Sequence, residues 1–129
     1  MLLLRQKVLW PDKNLEFVKT SQDAEGFHFG LKVNDKWVSC ISVFITENRA
    51  QFRKFATLSD YQGRGYGSQL LLHIFQFLKQ KGVENIRCSA RIEKQQFYTK
   101  FGMYPEGGEY LKNGLLYIQM AKQLDHHEL

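Results

Sequence analysis

Apolar residues recur along this chain at two periods, and the change from one to the other divides it. Phe27, Phe29, Leu31 and Val33 alternate with His28, Gly30 and Lys32. A period of two marks a half-buried strand. Asn34, Asp35 and Lys36 supply a turn, and Val38 to Thr46 follows as a β-rich run apolar on both faces. This predicts a hairpin whose second strand is central. A third strand is predicted over "QFRKFATL", ending at Leu58. The period then changes. Leu70, Leu71, Ile74, Phe77 and Leu78 recur at helical spacing, with Lys79 and Lys81 in the last turn and Gly82 as the stop. Basic residues and a glycine at that end are favourable for a helix C-terminus.

Beyond the helix, "NIRCSA" reads as a strand with Ile86, Cys88 and Ala90 on one face. "EKQQFYTKFG" reads as a short helix closed by Gly102, and "EYLKNGLLYIQM" carries Asn113-Gly114, a strong short-range hairpin signal. At the other end, residues 2–9 predict a short helix stopped by Pro11, which disfavours helix at Trp10. The tail "KQLDHHEL" reads as frayed. Antiparallel hairpins, a strand–helix–strand crossover and a closing hairpin make a mixed α/β sheet rather than a doubly wound one.

Composition narrows the class. The chain has 129 residues, 43% hydrophobic and 24% charged, with ten Phe and six Tyr. That is the profile of one globular domain over residues 1–129. The net charge is +5, but Lys and Arg are scattered rather than run together. A local positive field suits a small polyanion, whereas a nucleic-acid partner wants clustered charge and is not expected. No apolar run approaches the roughly 20 residues of a membrane span, so no membrane partner is expected. Cys40 and Cys88 stand far apart in apolar strand contexts. They read as buried free thiols in a reducing cytoplasm, and no Cys/His spacing suggests a metal.

The segment "SDYQGRGYGS" lies between the third strand and the helix, with Gly63, Gly65 and Gly67 at alternate positions. The first N–H groups of a helix lack partners and favour anions. Three glycines there let a phosphate reach them, and Arg64 can add charge-assisted hydrogen bonds. A P-loop is a poor match, because Ser68 and Gln69 rather than a Lys follow Gly67. A dinucleotide fingerprint is poor too, because the spacing is G-x-G-x-G and strands already precede it. A tight turn with no ligand is the remaining alternative.

"QGRGYG", Gln62 to Gly67, resembles the Q/R-x-x-G-x-G/A coenzyme A loop of the GNAT N-acetyltransferase superfamily, with Gln62, Gly65 and Gly67 at its specified positions. "FYTKFGM" resembles the family's FYxKxGF segment, and "GGEYLKNGLLYIQMAKQL" its closing hairpin. These occur in family order, over about Leu4 to Leu124. "LLLRQKVLWP" and "SARIEKQQFYTKFG" look like a small, single-domain bacterial branch.

The resemblance implies a mostly antiparallel sheet with one splayed parallel strand pair, flanked by helices. It implies acetyl transfer from acetyl-CoA to a primary amine, in a monomer or homodimer without a metal. The coenzyme would pair with the backbone of Phe55, Ala56 and Thr57. Its pyrophosphate would lie on residues 62–68: Gln62, Gly63, Arg64, Gly65, Tyr66, Gly67 and Ser68. Tyr98 would protonate the leaving thiolate. His28 has the right intrinsic pKa for a base and sits on the even face of its strand, but also reads as a surface histidine. Glu47 is a second base candidate and equally reads as a loop acid. Where the family often has Asn, this chain has Arg91, which can still touch coenzyme or substrate. Tyr117 stands where a related branch has His. A coenzyme-binding module without efficient chemistry is the alternative reading.

Overall fold

The computed structural model describes residues 4–10, 13–22 and 26–124. Strand pairing begins with β1 (Leu4–Trp10), β2 (Lys13–Gln22), β3 (Phe27–Val33), β4 (Lys36–Thr46) and β5 (Arg49–Thr57), each antiparallel to the one before. A short 3₁₀ turn (Ser59–Tyr61) leads to α1 (Tyr66–Gln80), then β6 (Asn85–Arg91). A second 3₁₀ turn (Ile92–Lys94) runs into α2 (Gln95–Thr99). The chain closes with β7 (Tyr104–Pro105), β8 (Tyr110–Lys112) and β9 (Leu115–Gln123). The nine described strands join one sheet in the order β1-β2-β3-β4-β5-β6-β9-β7, with β8 also on β9. Among the described residues only β5 and β6 pair in parallel. Among the described residues no helix is long and apolar enough to cross a membrane.

The hairpins form where the turn chemistry puts them. Asn34 and Asp35 take φ of 51° and 68°, and Asn113 and Gly114 take 52° and 78°. Positive φ at both central residues matches the right-handed twist of the flanking strands. In α1, Leu70, Leu71, Ile74 and Leu78 are fully buried. Phe77 is only half-buried and meets Phe27 and Phe29 edge-on, while Phe75 takes the deeper place.

Three sequence expectations fail. Residues 4–10 form β1 and not a helix, paired along their length with β2. Seven residues are too few for a helix to stand on propensity alone. The extended bias that Pro11 imposes on Trp10 suits a strand equally well. β2 itself was not anticipated, although Leu15 and Phe17 alternate and are buried. The tail is ordered further than expected: Lys122 and Gln123 belong to β9 and Leu124 is buried, while residues 125–129 lie outside the described ones.

The sheet has unequal faces. Phe29, Ile41, Val43 and Phe52 are buried. They sit on the side of α1, which packs on β3, β4 and β5. Tyr98 of α2 meets Phe52 from that same side. The opposite face of β3–β5 carries His28, Gly30, Cys40, Ser42, Arg53 and Ala56 at paired register positions. Among the described residues no helix covers it.

Candidate active site

The site begins with a fault in β5. β5 and β6 pair only through Arg49, Ala50 and Gln51 with Asn85, Ile86 and Arg87. Just beyond, the register between β4 and β5 shifts: Ser42 faces Arg53, but Cys40 faces Ala56. Lys54 takes φ of 57° at the shift. A bulge bends its strand and strengthens the local twist. Here it coincides with the point where β5 leaves β6 and a gap opens. The extra residue also sorts side chains. Phe52 and Phe55, three apart, both turn to the aromatic cluster, with Phe52 at 5.9 Å from Tyr98 and Phe55 at 6.2 Å from Phe97. Arg53 turns to the other face, its guanidinium over the Phe44 ring at 5.1 Å.

The free end of β5 is held from one side only. Ser39 Oγ donates to the Ala56 carbonyl at 2.9 Å and lies 3.0 Å from the Thr57 hydroxyl. Leu58 N–H donates to the Val38 carbonyl at 2.8 Å, and the Gln62 side-chain amide donates to the Thr57 carbonyl at 2.9 Å. Sequence reasoning passed over Ser39. A serine within a β-rich, largely apolar run was its signal.

The three glycines have different reasons. Gly63 and Gly65 take φ of 75° and 85°, with open space where a Cβ would stand. They turn the chain. Gly67 has ordinary φ, but a Cβ there would lie 3.1 Å from Thr57 Oγ1 and 3.5 Å from the Phe55 ring. Its missing side chain lets α1 start close against β5. Gly65 is the N-cap and offers no side chain to cap the first turn. The first bond within the helix runs from Gln69 N–H to the Gly65 carbonyl at 3.0 Å. The Gly67 and Ser68 amides before it make no bond to a carbonyl four residues back, and the dipole makes this end attractive to anions.

Gap and loop enclose a cavity of about 860 Å³. The sequence-predicted Phe55, Ala56 and Thr57 line it, as do Gln62, Gly63 and Gly65. Tyr66, Gly67, Ser68, Arg91 and Tyr98 line it too. Arg64 does not; its guanidinium lies outside, 5.5 Å from the Tyr61 ring centre. Arg91 is paired with Glu93 at 2.8 Å. Four cationic residues line the cavity (Arg53, Lys54, Arg91 and Lys94), and among the described residues no carboxylate does.

Tyr98 stands among Phe52, Phe97 and Cys88. Burial first, and then the neighbouring Cys88, push its phenol well above the ordinary range. Its hydroxyl has no hydrogen-bond partner among the described residues. Burial likewise pushes the Cys88 thiol up to about 12. Both groups stay protonated at neutral pH. Opposite them, Tyr117 stacks on Tyr110 with ring centres 5.9 Å apart, and the Tyr110 hydroxyl is hydrogen-bonded to Ser89.

A second, shallower cavity of about 390 Å³ lies on the uncovered face. It shares Ala56 and Thr57 with the gap and includes His28, whose Nδ1 lies 2.8 Å from Ser42 Oγ. Trp37 flanks it, lying against Gly30 so closely that a Cβ there would come within 2.4 Å of the indole.

The structure places Glu47 as a loop acid and corrects the reading of Cys40. Glu47 lies in the β4–β5 turn, exposed, with φ of 57°, and lines neither cavity. That turn adjoins the paired end of β5, whereas the gap opens at the other end. Cys40 is exposed and not buried, its thiol directed to the Lys54 carbonyl at 3.6 Å. It sits on the face that no helix covers.

The sequence model of the Acetyltransferase (GNAT) family matches residues 2–103. A Bacillus subtilis protein named uncharacterized N-acetyltransferase YitI is 33% identical over 115 residues, covering 82% of this chain and 76% of its own. The ribosomal-protein-S18-alanine N-acetyltransferase of Escherichia coli superposes with a TM-score of 0.73 at 22% identity, over 83% of this chain and 74% of its own. A GNAT family acetyltransferase from Elizabethkingia anophelis, solved with acetyl-CoA bound, gives 0.68 at 17% identity, over 78% and 77%. The splayed parallel pair, the glycine loop at the helix start and these matches agree: the chain belongs to the GNAT family of acetyltransferases.

Proposed function

We propose that this protein transfers an acetyl group from acetyl-CoA directly to a primary amine while both are bound. The observation that carries the reading is the gap beside the free end of β5, closed at one end by an uncapped helix start. The lining fits an anionic coenzyme, since Lys54 and Lys94 line it and among the described residues no carboxylate does. Backbone of Phe55, Ala56 and Thr57 lacks a β6 partner and can pair with an extended amide chain as an added strand would. The N–H groups of residues 62–68 would receive the pyrophosphate. Arg91 lies across the gap, where it would bear on coenzyme or acceptor.

The step breaks the acetyl carbon–sulfur bond and forms a carbon–nitrogen bond. The amine gives up one proton, and the departing sulfur gains one. Tyr98 is the proposed donor to sulfur. Burial keeps it protonated at neutral pH, so it can donate a hydrogen bond to the sulfur as negative charge develops there. The protonated state of Cys88 argues against an acetyl-cysteine intermediate, because the thiolate is the nucleophile. Direct attack by the amine fits better. His28, bonded to Ser42 at the neighbouring cavity, is the proposed base, directly or through water. Holding both reactants in one cleft can remove about 7–11 kcal/mol of barrier in favourable cases.

The test is a thermal shift with acetyl-CoA, followed by thiol release with a panel of primary amines. A ligand that binds only the folded state raises Tm. Absence of any shift at saturating acetyl-CoA would sink the coenzyme assignment. A shift without thiol release from any amine would leave a binding module.

A further inference from the structure

The charges around the gap point to the chemistry of the acceptor. Along β6, Ile86, Cys88 and Ala90 are buried, so Arg87, Ser89 and Arg91 turn to the opposite, uncovered face. Arg87 is neutralised there by Glu106 at 2.7 Å, and Arg91 by Glu93 at 2.8 Å. Arg53, across the gap on β5, is different. Its side chain donates to the Gln51 side-chain oxygen at 3.3 Å and lies over Phe44, and among the described residues it has no carboxylate partner. It lines the gap all the same.

Arg53 is also displaced from the proposed phosphate loop. It stands four positions before Thr57 in a bulged strand, at most about 13 Å away at roughly 3.3 Å per residue. It flanks the point where the gap begins. Its cross-strand neighbour is Ser42, the hydrogen-bond partner of His28. Arg53 thus shares Ser42 as a cross-strand neighbour with the proposed base, and its guanidinium lies over Phe44, whose ring centre is 6.2 Å from that of His28.

We infer that the acceptor is an amine carrying its own anionic group, which Arg53 receives. This rests on the acetyl-transfer reading above and names the substrate class. Polycationic amines are disfavoured, because Arg53, Lys54 and Lys94 line the cavity and among the described residues no carboxylate does. An amino acid or amino phosphonate offers the guanidinium a forked oxyanion, the geometry it binds best. The same positive charge lowers the pKa of a nearby ammonium, which favours the neutral amine that attacks. The bonds made and broken are those of the step already written.

The experiment compares thiol release from matched amines: a plain alkylamine, a diamine, an ω-amino carboxylate and an ω-amino phosphonate of equal chain length. Wild type is measured beside Arg53→Gln and Arg53→Lys. The expected result is kcat/KM at least ten-fold higher for one or both anionic amines than for the alkylamine, with the diamine lowest. Arg53→Gln should erase that preference, mainly through KM, and Arg53→Lys should restore part of it. The acetyl-CoA thermal shift should be unchanged in both variants. The two anionic arms separate carboxylate from phosphate recognition. Preference for the alkylamine or diamine overturns the inference. So does an anionic preference that survives Arg53→Gln, or a weaker acetyl-CoA shift in that variant, which would assign Arg53 to the coenzyme. If no amine releases thiol while acetyl-CoA still raises Tm, the acceptor class is wrong and the coenzyme reading stands. If acetyl-CoA does not raise Tm, both fall.

Discussion

The two cavities share Ala56 and Thr57, yet they are built on opposite principles. The gap is bounded by packed elements: the start of α1, the aromatic ring cluster of Phe52, Phe55, Phe97 and Tyr98, and the bulged strand. Burial fixes its walls and shifts its titratable groups. The shallow cavity on the uncovered face is bounded by side chains lying on a bare sheet, with Trp37 46% exposed at its edge. Little packing constrains it. The contrast separates a cavity whose walls are fixed by packing from one whose edge is free to vary.

The sharpest way to break the comparison is Tyr98→Phe. On the gap side it should lower kcat by about 10²–10⁴-fold, the usual range for a lost general acid. The acetyl-CoA thermal shift should be kept. Unchanged kcat in single-turnover measurements would remove Tyr98 from the acid role. Next is Gly65→Asp, which places a carboxylate at the helix start and an L side chain at φ of 85°. Loss of two charge-assisted hydrogen bonds at about 1.5 kcal/mol each predicts a rise in acetyl-CoA Kd of at least about 100-fold. Titration calorimetry measures it, with the apo Tm reporting backbone strain separately.

On the bare face, Gly30→Val should behave oppositely. The new side chain collides with Trp37, and displacing an exposed ring should cost about 1–3 kcal/mol in denaturant unfolding. Acetyl-CoA binding should be unaffected. A lost coenzyme shift would show that the two cavities are mechanically coupled.

The smallest effect concerns pH. His73 stacks on Phe17 with ring centres 4.6 Å apart, and burial lowers its pKa. The unfolded chain therefore takes up that proton first. The contribution is present above about pH 6.5 and is lost as pH falls below it. His73→Gln should flatten this acid limb of the Tm–pH curve. An equally steep limb in the variant would assign it to other groups.

Much of this was legible from residues in sequence order. Phe27 to Val33 alternates and is a strand; Leu70 to Leu78 recurs at helical spacing and is a helix; Asn113-Gly114 marks a hairpin. The glycine loop pointed to its place before α1. Other features were not legible. Leu4–Trp10 became a strand because β2 was there to pair with it. Glu47 and His28 both looked like bases, and only the placement of the β4–β5 turn took Glu47 away from the cavities. Gly67 looked like room for a ligand, and its nearest neighbours proved to be Thr57 and Phe55.

By itself the sequence determined most of the local elements, their turns and the place of the glycine loop, because periodicity and turn chemistry act over a few residues. The tertiary structure decided how far β5 and β6 stay paired, which face lacks a helix, and which arginine near the gap lacks a carboxylate. Those depend on a bulge in one strand and on side chains brought together from distant segments, and no short stretch of chain contains both partners.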